Sequence, residues 1–535
     1  MTRMDAAGGL AVTTTVDADG SLDALTRDDV PAKLAALDAT LWGPDAESEA
    51  AVRLGWVDTF VRSRALLPKL DEVRTRMRDS GLTKVVLAGM GGSSLAPEVI
   101  CRTLDRPLTV LDTTDPGQIR AALEQDLEST LVVVSSKSGG TIETESIRRA
   151  FAQAFTDSGV KDVGKHFVVV TDPGSPLEQL GQAMKATVFL ADPDVGGRYS
   201  ALTAFGLVPA ALAGVNVAEL LDDAESFAAT IAAKAPDNPA LLLGAVLASR
   251  PTISIADDGS GIVGLGDWAE QLIAESTGKN GTGVLPVVVE SVVAPGAEGE
   301  GVLSAVVGGS KPPGFDTRNK VGNPDVAVNG PLGAQFLCWE LATAYAGRLL
   351  EIDPFDQPNV AESKDNTKKI LESGAPREEP SFTEGAVVVY GAAATDLAGA
   401  LGDLLAQPGP DGYLAVMAYL DRAADAETAE LRALLAERTA APVTFGWGPR
   451  FLHSTGQFHK GGRQTGVFLQ ITGDTGADLE VPGRSYGFAG LQAAQSAGDR
   501  RALATRARPL LRLHLTDRRA GVAQLLAAVK ELTRP

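Results

Sequence analysis

Val85-Val86-Leu87-Ala88-Gly89-Met90-Gly91-Gly92-Ser93-Ser94 decides the fold of this chain. An apolar, β-branched run ends in glycines and hydroxyls and then passes into a helical pattern. Some fifty residues on, Val132-Val133-Val134-Ser135-Ser136-Lys137-Ser138-Gly139-Gly140-Thr141 repeats the arrangement. Strand, glycine turn and helix start is how α/β proteins hold phosphate, because free backbone N–H groups and the helix dipole face the anion. Glycine lets the backbone approach closely, and Ser and Thr hydroxyls add hydrogen bonds. Two such loops predict a phosphorylated ligand at the carboxyl ends of parallel strands.

Outward from these loops, strands and helices alternate. Val85–Ala88, Leu108–Leu111, Leu131–Val134, Phe167–Val170 and Thr187–Leu190 read as buried strands of a parallel sheet wrapped by helices. Residues 1 to about 30 read as polar and loosely structured, and residues 31–80 as helices. A helical region from Val217 to Ser249 precedes a second strand set, Ile262–Leu265, Leu285–Val289 and Ala305–Val307, and then the helix Ala334–Leu349. Gly374–Pro380 marks a boundary. Beyond it, Ala386–Tyr390, Leu414–Tyr419, Val443–Phe445 and Val467–Ile471 form a third, smaller α/β unit. The expected division is 1–80, 81–230, 231–375 and 376–535, consistent with a chain too long for one core.

Composition narrows the function. The 535 residues are 44% hydrophobic and 22% charged, with a net charge of −20. That charge argues against nucleic acid as a partner and requires any phosphate site to be locally positive or rich in N–H groups. Two cysteines, Cys101 and Cys338, are too few for a disulfide framework and fit a reducing, cytoplasmic setting. Neither a secretory leader nor an apolar run long enough for a membrane span is apparent. Four histidines and scattered acids show no metal-ligand spacing, and no G-x-G-x-x-G unit with a following acid suggests a dinucleotide, so neither metal nor cofactor is expected.

Three further blocks follow in order: Gly196-Gly197-Arg198-Tyr199-Ser200, Glu270-Gln271-Leu272-Ile273-Ala274-Glu275-Ser276-Thr277-Gly278-Lys279, and Phe355-Asp356-Gln357-Pro358-Asn359-Val360-Ala361-Glu362-Ser363-Lys364. With the two loops, the chain from about 40 to 370 resembles the phosphoglucose isomerase family, built from two sugar-isomerase domains. Gly448-Pro449-Arg450-Phe451-Leu452-His453-Ser454-Thr455-Gly456-Gln457-Phe458-His459-Lys460 resembles the extended bacterial branch, which includes forms fused to transaldolase.

The resemblance implies aldose–ketose isomerisation through an enediol, between glucose 6-phosphate and fructose 6-phosphate. Such chemistry needs a base between C1 and C2, a cation for the developing oxyanion, and an acid/base that opens the sugar ring. Glu275 aligns with the base, while Glu270 reads as a surface carboxylate. Arg198 aligns with the arginine beside the substrate oxygens. Ser136, Ser138 and Thr141, with Lys137 between them, match the phosphate loop, although Ser and Thr also cap helices routinely. Gly92 and Ser93 match the first loop, and Gln357 and Lys364 the final block. Where the family often has Glu, this chain has Ala361, with Glu362 adjacent.

Histidine is the main departure. The family opens the ring with a His between its base and its final lysine, usually from the neighbouring subunit, and none lies between Glu275 and Lys364 here. The Ser454–Gly462 segment is polar, glycine-rich and loop-like, which makes His459, and after it His453, the candidate for a neutral-pH acid/base. His166 and His514 read as structural. Two alternatives stand beside the isomerase: a dual phosphoglucose/phosphomannose isomerase, and a non-catalytic sugar-phosphate regulator, which would not need Glu275. The family is usually dimeric, so a homodimer is expected, with a monomer left open if the ring-opening group comes from the same chain.

Overall fold

Strands that are apolar at every position can be buried on both faces, which is what a parallel sheet covered by helices requires. The computed structural model describes residues 1–234, 237–309, 323–374 and 378–532. Five mostly apolar runs, buried beyond their first residues except for Thr187–Leu190 at the edge, form an all-parallel sheet in the spatial order Thr109–Leu111, Lys84–Gly89, Thr130–Ser135, Phe167–Thr171 and Thr187–Leu190. From Lys84–Gly89 the chain goes to one side, to Thr109–Leu111. From Thr130–Ser135 it goes to the other. Gly89 pairs with Ser135 in register, so both glycine loops leave the same end of adjacent strands, at the point where strand order reverses.

The second sheet runs Thr2–Asp5, Ala11–Thr14, Val326–Asn329, Val302–Gly308, Thr252–Asp257, Leu285–Val288. Its last four strands are parallel. Its first two are a hairpin whose inner strand pairs antiparallel with Val326–Asn329. The N-terminus is therefore an edge of this sheet rather than loose chain. Ala11–Thr14 is buried at every position and finishes the hydrogen bonding of an otherwise open edge. The reading also differs at Ile262–Leu265. Thr252–Asp257 is the strand, and Leu265 opens the helix Leu265–Thr277 after Gly264 turns the chain at φ 77°. The region from Val217 to Ser249 is two helices, Val217–Ala228 and Pro239–Leu247.

One continuous apolar core joins the N-terminal helices, the first sheet, the second sheet and the buried helix Leu332–Leu349. The third sheet runs Phe382–Glu384, Val387–Tyr390, Leu510–Leu515, Gly466–Gly473, Tyr413–Tyr419, Val443–Trp447. Strand alternation sorts its residues. Leu414, Val416 and Ala418 pack under the helices Leu397–Leu405 and Arg518–Glu531. Tyr413, Ala415, Met417 and Phe468 face the other way, against Ala274, Leu285, Val287 and Phe458. That second face sets the C-terminal unit directly on the end of the helix Leu265–Thr277. The fold class is thus the expected one: α/β, with parallel-rich sheets flanked by helices. Among the described residues, no helix is long and apolar enough to cross a membrane.

Candidate active site

Thr130–Ser135 delivers the second glycine loop to the start of the helix Ile142–Asp157. Ser136 Oγ and Thr141 Oγ1 lie 2.9 Å apart, closing the loop on itself. Ser138 Oγ accepts from Gly140 N at 3.3 Å. Gly139 has φ 68°, and a Cβ there would stand 2.8 Å from Leu177 N, so the loop needs glycine twice over. Ser138, Gly139, Gly140 and Thr141 form part of the wall of a cavity of about 940 Å³, to which Lys364 and His453 also contribute. Lys137 was expected on this loop as a ligand contact. Its Nζ instead reaches Asp172 Oδ2 at 2.5 Å and Pro193 O at 3.4 Å, which ties the loop to the next strand's end.

The first loop acts differently. A Cβ on Gly92 would come 1.9 Å from Gly197 O, and one on Gly91 would meet Gln271 Nε2 and His453 O, both at 2.8 Å. Gly92 and the buried Ser93 are therefore packed against the Arg198 loop, and neither lines the 940 Å³ cavity. These glycines allow three segments to meet: the Arg198 turn, the helix carrying Glu275, and the His453 turn.

Arg198 is 2% exposed and its donors are almost fully used. Nε donates to Ser276 Oγ at 2.9 Å, Nη1 to Gln357 Oε1 at 2.8 Å, and Nη2 to Pro354 O and Asp356 O at 2.7 and 2.9 Å. Nη1 also lies 3.7 Å from Glu275 Oε2. Lys279, equally buried, donates to Asp353 O, Asp356 O and Asp356 Oδ1. Burial, with Arg198 nearby, lowers the Lys279 pKa to about 8 despite Asp356. Two buried cations thus hold the Asp353–Gln357 loop against the helix Leu265–Thr277.

Glu275 is buried, and its carboxylate accepts from Gln271 Nε2 at 3.3 Å. Burial raises its pKa above the ordinary carboxylate value, against the pull of Arg198, His453, Gln271 and Lys364. Desolvation makes a carboxylate a stronger base than one in water, and here it outweighs the opposing guanidinium. Glu275 and Arg198 lie beside the large cavity rather than in its wall, near enough for His453 and Lys364 to act on the Glu275 charge. Gln357 is exposed next to them.

The two candidate histidines exchange places. His459 does not line the cavity. Its segment folds into the short helix Gly456–Gly461, and its ring stacks on Tyr413 and meets Phe468 edge-on. His459 Nδ1 lies 3.0 Å from Tyr413 Oη, and burial, with Lys460 and Arg508 adding, lowers its pKa to about 3. Such a ring stays neutral and structural at physiological pH. His453 lies in the cavity wall, its Nε2 3.0 Å from Glu143 Oε1. Glu143, in the first turn after the phosphate loop, also accepts from Gln495 Nε2 at 2.7 Å. Burial pushes Glu143 up, but His453, with a backbone N–H and Lys364 adding, outweighs it and the net shift is downward.

Sequence reasoning passed over Glu143 and Gln495. A Glu in a helix's first turn is common, and Gln495 comes from a distant helix, Phe488–Ala504. The C-terminal block has a definite task. Gln457 Nε2 donates to Gly278 O and Asn359 Oδ1, while Asn359 N donates to Gln457 Oε1. Gln457 thereby joins the end of the helix Leu265–Thr277 to the Gln357 loop. Glu362 turns to Arg506 at 2.7 Å and takes no part in the cavity; the side chain of Ala361 lies outside those described. Glu270 is not a plain surface carboxylate. It is half-buried in a separate charged cavity with Arg450 and Asp267, and burial, then Asp267, raises its pKa to about 8. No group of three or more His, Cys, Asp or Glu side chains that could hold a metal occurs among the described residues.

A parallel sheet and a largely parallel one, a loop of glycines and hydroxyls at a strand end, and a buried carboxylate facing an arginine fit the phosphosugar isomerase class. Comparison with known proteins narrows this. Residues 73–263 match the family model of phosphoglucose isomerase. A glucose-6-phosphate isomerase of Rubrobacter xylanophilus is 31% identical over 376 residues, 57% of this chain and 86% of that protein. One from Cyanothece is 34% identical over 216 residues, 38% of this chain and 40% of that protein. Among solved structures, a hypothetical protein of Thermus thermophilus superposes with a TM-score of 0.55 at 25% identity, covering 66% of this chain and 97% of that one. A glucose-6-phosphate isomerase from Chlamydia trachomatis shares the fold at a TM-score of 0.55 and 20% identity, covering 70% and 90%. The chain belongs to the phosphoglucose isomerase family.

Proposed function

We propose that this chain interconverts glucose 6-phosphate and fructose 6-phosphate through an enediol. The observation that carries the reading is Glu275: a buried carboxylate of raised basicity, 3.7 Å from a buried arginine, beside a cavity walled by an anion loop. In this reading the loop Ser138–Thr141 holds the phosphate. His453 moves a proton between the ring oxygen and the anomeric hydroxyl, with Glu143 fixing its ring. Glu275 then takes a proton from C2 and returns it to C1, or the reverse. Arg198 and Lys364 offset the charge that grows on the oxygens between these transfers. A regulator that only bound sugar phosphate would gain nothing from a desolvated base opposite a guanidinium, and this favours catalysis.

Conversion of fructose 6-phosphate by the purified protein, followed in a coupled assay, is the test. Turnover supports the reading; tight binding without turnover would make the protein a sugar-phosphate sensor.

A further inference from the structure

The face of the third sheet that meets the rest of the molecule changes character along its length. Tyr413, Ala415, Met417 and Phe468 are its apolar part. Towards the carboxyl ends of the parallel strands the same face turns polar. There Tyr419, Thr472 and His514 lie side by side in register, with Arg512 opposite Tyr390. These five side chains, with Arg500 from the helix Phe488–Ala504, line a cavity of about 420 Å³ separate from the catalytic one.

Three observations point to a ligand. The cavity lies where strand order reverses: Tyr413–Tyr419 leads to Val443–Trp447 on one side and Gly466–Gly473 to Leu510–Leu515 on the other. Open α/β sheets take ligands in the crevice outside the strand ends at such a point. Second, Tyr419 is 1% exposed, lines the cavity, and its hydroxyl has no hydrogen-bond partner among the described residues. A buried polar atom left unpaired is unusual in a native fold. Third, two guanidiniums converge there. That of Arg512 is 4.1 Å from the Tyr390 ring centroid, and its Nε is also unpartnered. Both arginines pair with one carboxylate, Glu378, Arg500 at 3.3 Å.

We propose that this cavity is a second anion site, which binds a phosphate monoester. Glu378 occupies the position that the phosphate would take, bridging two guanidiniums as a phosphate does. The ester displaces Glu378, gains the Tyr419 hydroxyl, and rests its organic part against Tyr390.

The site is wired to the catalytic one. The helix that brings Arg500 here also places Gln495 on Glu143 and Asp499 beside Lys460. Glu378 follows, in sequence, the helix Val360–Ser373 that carries Lys364.

Calorimetric titration of the full chain with glycerol 3-phosphate tests this, with Glu378→Gln compared against Glu378→Gln combined with Arg512→Gln. The single variant is expected to show two classes of site, and the double variant only the catalytic one, whose retention confirms folding. The second class should bind roughly tenfold tighter in Glu378→Gln than in the parent, because a competing carboxylate has gone. Inorganic phosphate should bind this class more weakly than the ester. The same number of sites in both variants would overturn the proposal. Equal affinity for inorganic phosphate would overturn the assignment of a monoester.

Discussion

His453 Nε2 stands 3.0 Å from Glu143 Oε1, so a turn of the C-terminal unit is bonded to the first turn of the helix behind the glycine loop Ser138–Thr141. The contact joins residues 310 positions apart and brings an imidazole into the wall of the 940 Å³ cavity. It places His453 and the glycine loop Ser138–Thr141 on one connected scaffold.

Replacing Glu143 by Gln keeps the shape and removes the charge that orients His453. Activity on ring-closed fructose 6-phosphate is expected to fall roughly 10²-fold, the typical worth of a positioned acid/base. An open-chain analogue should lose much less. Equal losses on both substrates would remove His453 and Glu143 from ring opening. Because the native pKa of Glu143 is lowered, its ionised form contributes stability above the unfolded carboxylate pKa. That contribution disappears as pH falls through the native value, so Glu143→Gln should flatten the acid limb of the stability curve.

His453→Asn and His459→Asn should separate cleanly. The first should cost activity beyond the stability lost with the Glu143 contact. The second should cost about 1–3 kcal/mol of stability through the lost Tyr413 partner, with kcat per folded molecule near the parent's. His459 titrates near 3 in the fold and near 6.5 when unfolded. Between those values the unfolded chain binds the extra proton, so stability falls as pH drops from about 6.5. His459→Asn should weaken that decline, as thermal melts across pH would report.

Gln457→Ala cuts the bonds from the C-terminal block to Gly278 and Asn359. The Gln357 loop then loses one of its anchors to the helix Leu265–Thr277, keeping those through Arg198 and Lys279. A fall in kcat/KM of about tenfold is expected, the kinetic equivalent of losing one or two buried hydrogen bonds. A variant with parent kinetics would show that Arg198 and Lys279 hold the loop without help.

Gly92→Ala is the packing test. The added methyl would stand 1.9 Å from the Gly197 carbonyl oxygen, so the turn before Arg198 must move. Overpacking of this kind costs about 1–3 kcal/mol or more. Activity should fall further than stability, because Arg198 is displaced. Melting temperature and kcat measured together would show whether the loop acts through Arg198.

The first sheet was legible because its strands are unbroken apolar runs bounded by glycine and hydroxyl residues, a pattern that needs no tertiary context. The N-terminal hairpin was not, since Thr2–Asp5 and Ala11–Thr14 are short and partly polar and become strands only against Val326–Asn329. Thr252–Asp257 followed directly on a long helical run and was absorbed into the connection. In the site, Glu275, Arg198 and Lys364 stood out through their surrounding blocks. The histidines did not, because local polarity in Ser454–Gly462 suggested a loop around His459. Burial there is decided by Tyr413 and Phe468, which arrive from strands the segment itself does not encode. Glu143 and Gln495 are ordinary residues made special by a contact across the molecule.

The central claim is that Glu275 is the base of an aldose–ketose isomerase. The direct measurement is a coupled assay of fructose 6-phosphate conversion by the parent chain and by Glu275→Gln, with folding of both confirmed. Turnover by the parent that falls by roughly 10³-fold or more in the variant is the expected result. A folded parent that binds sugar phosphate without converting it, or a variant that keeps most of the parent's rate, would contradict the claim.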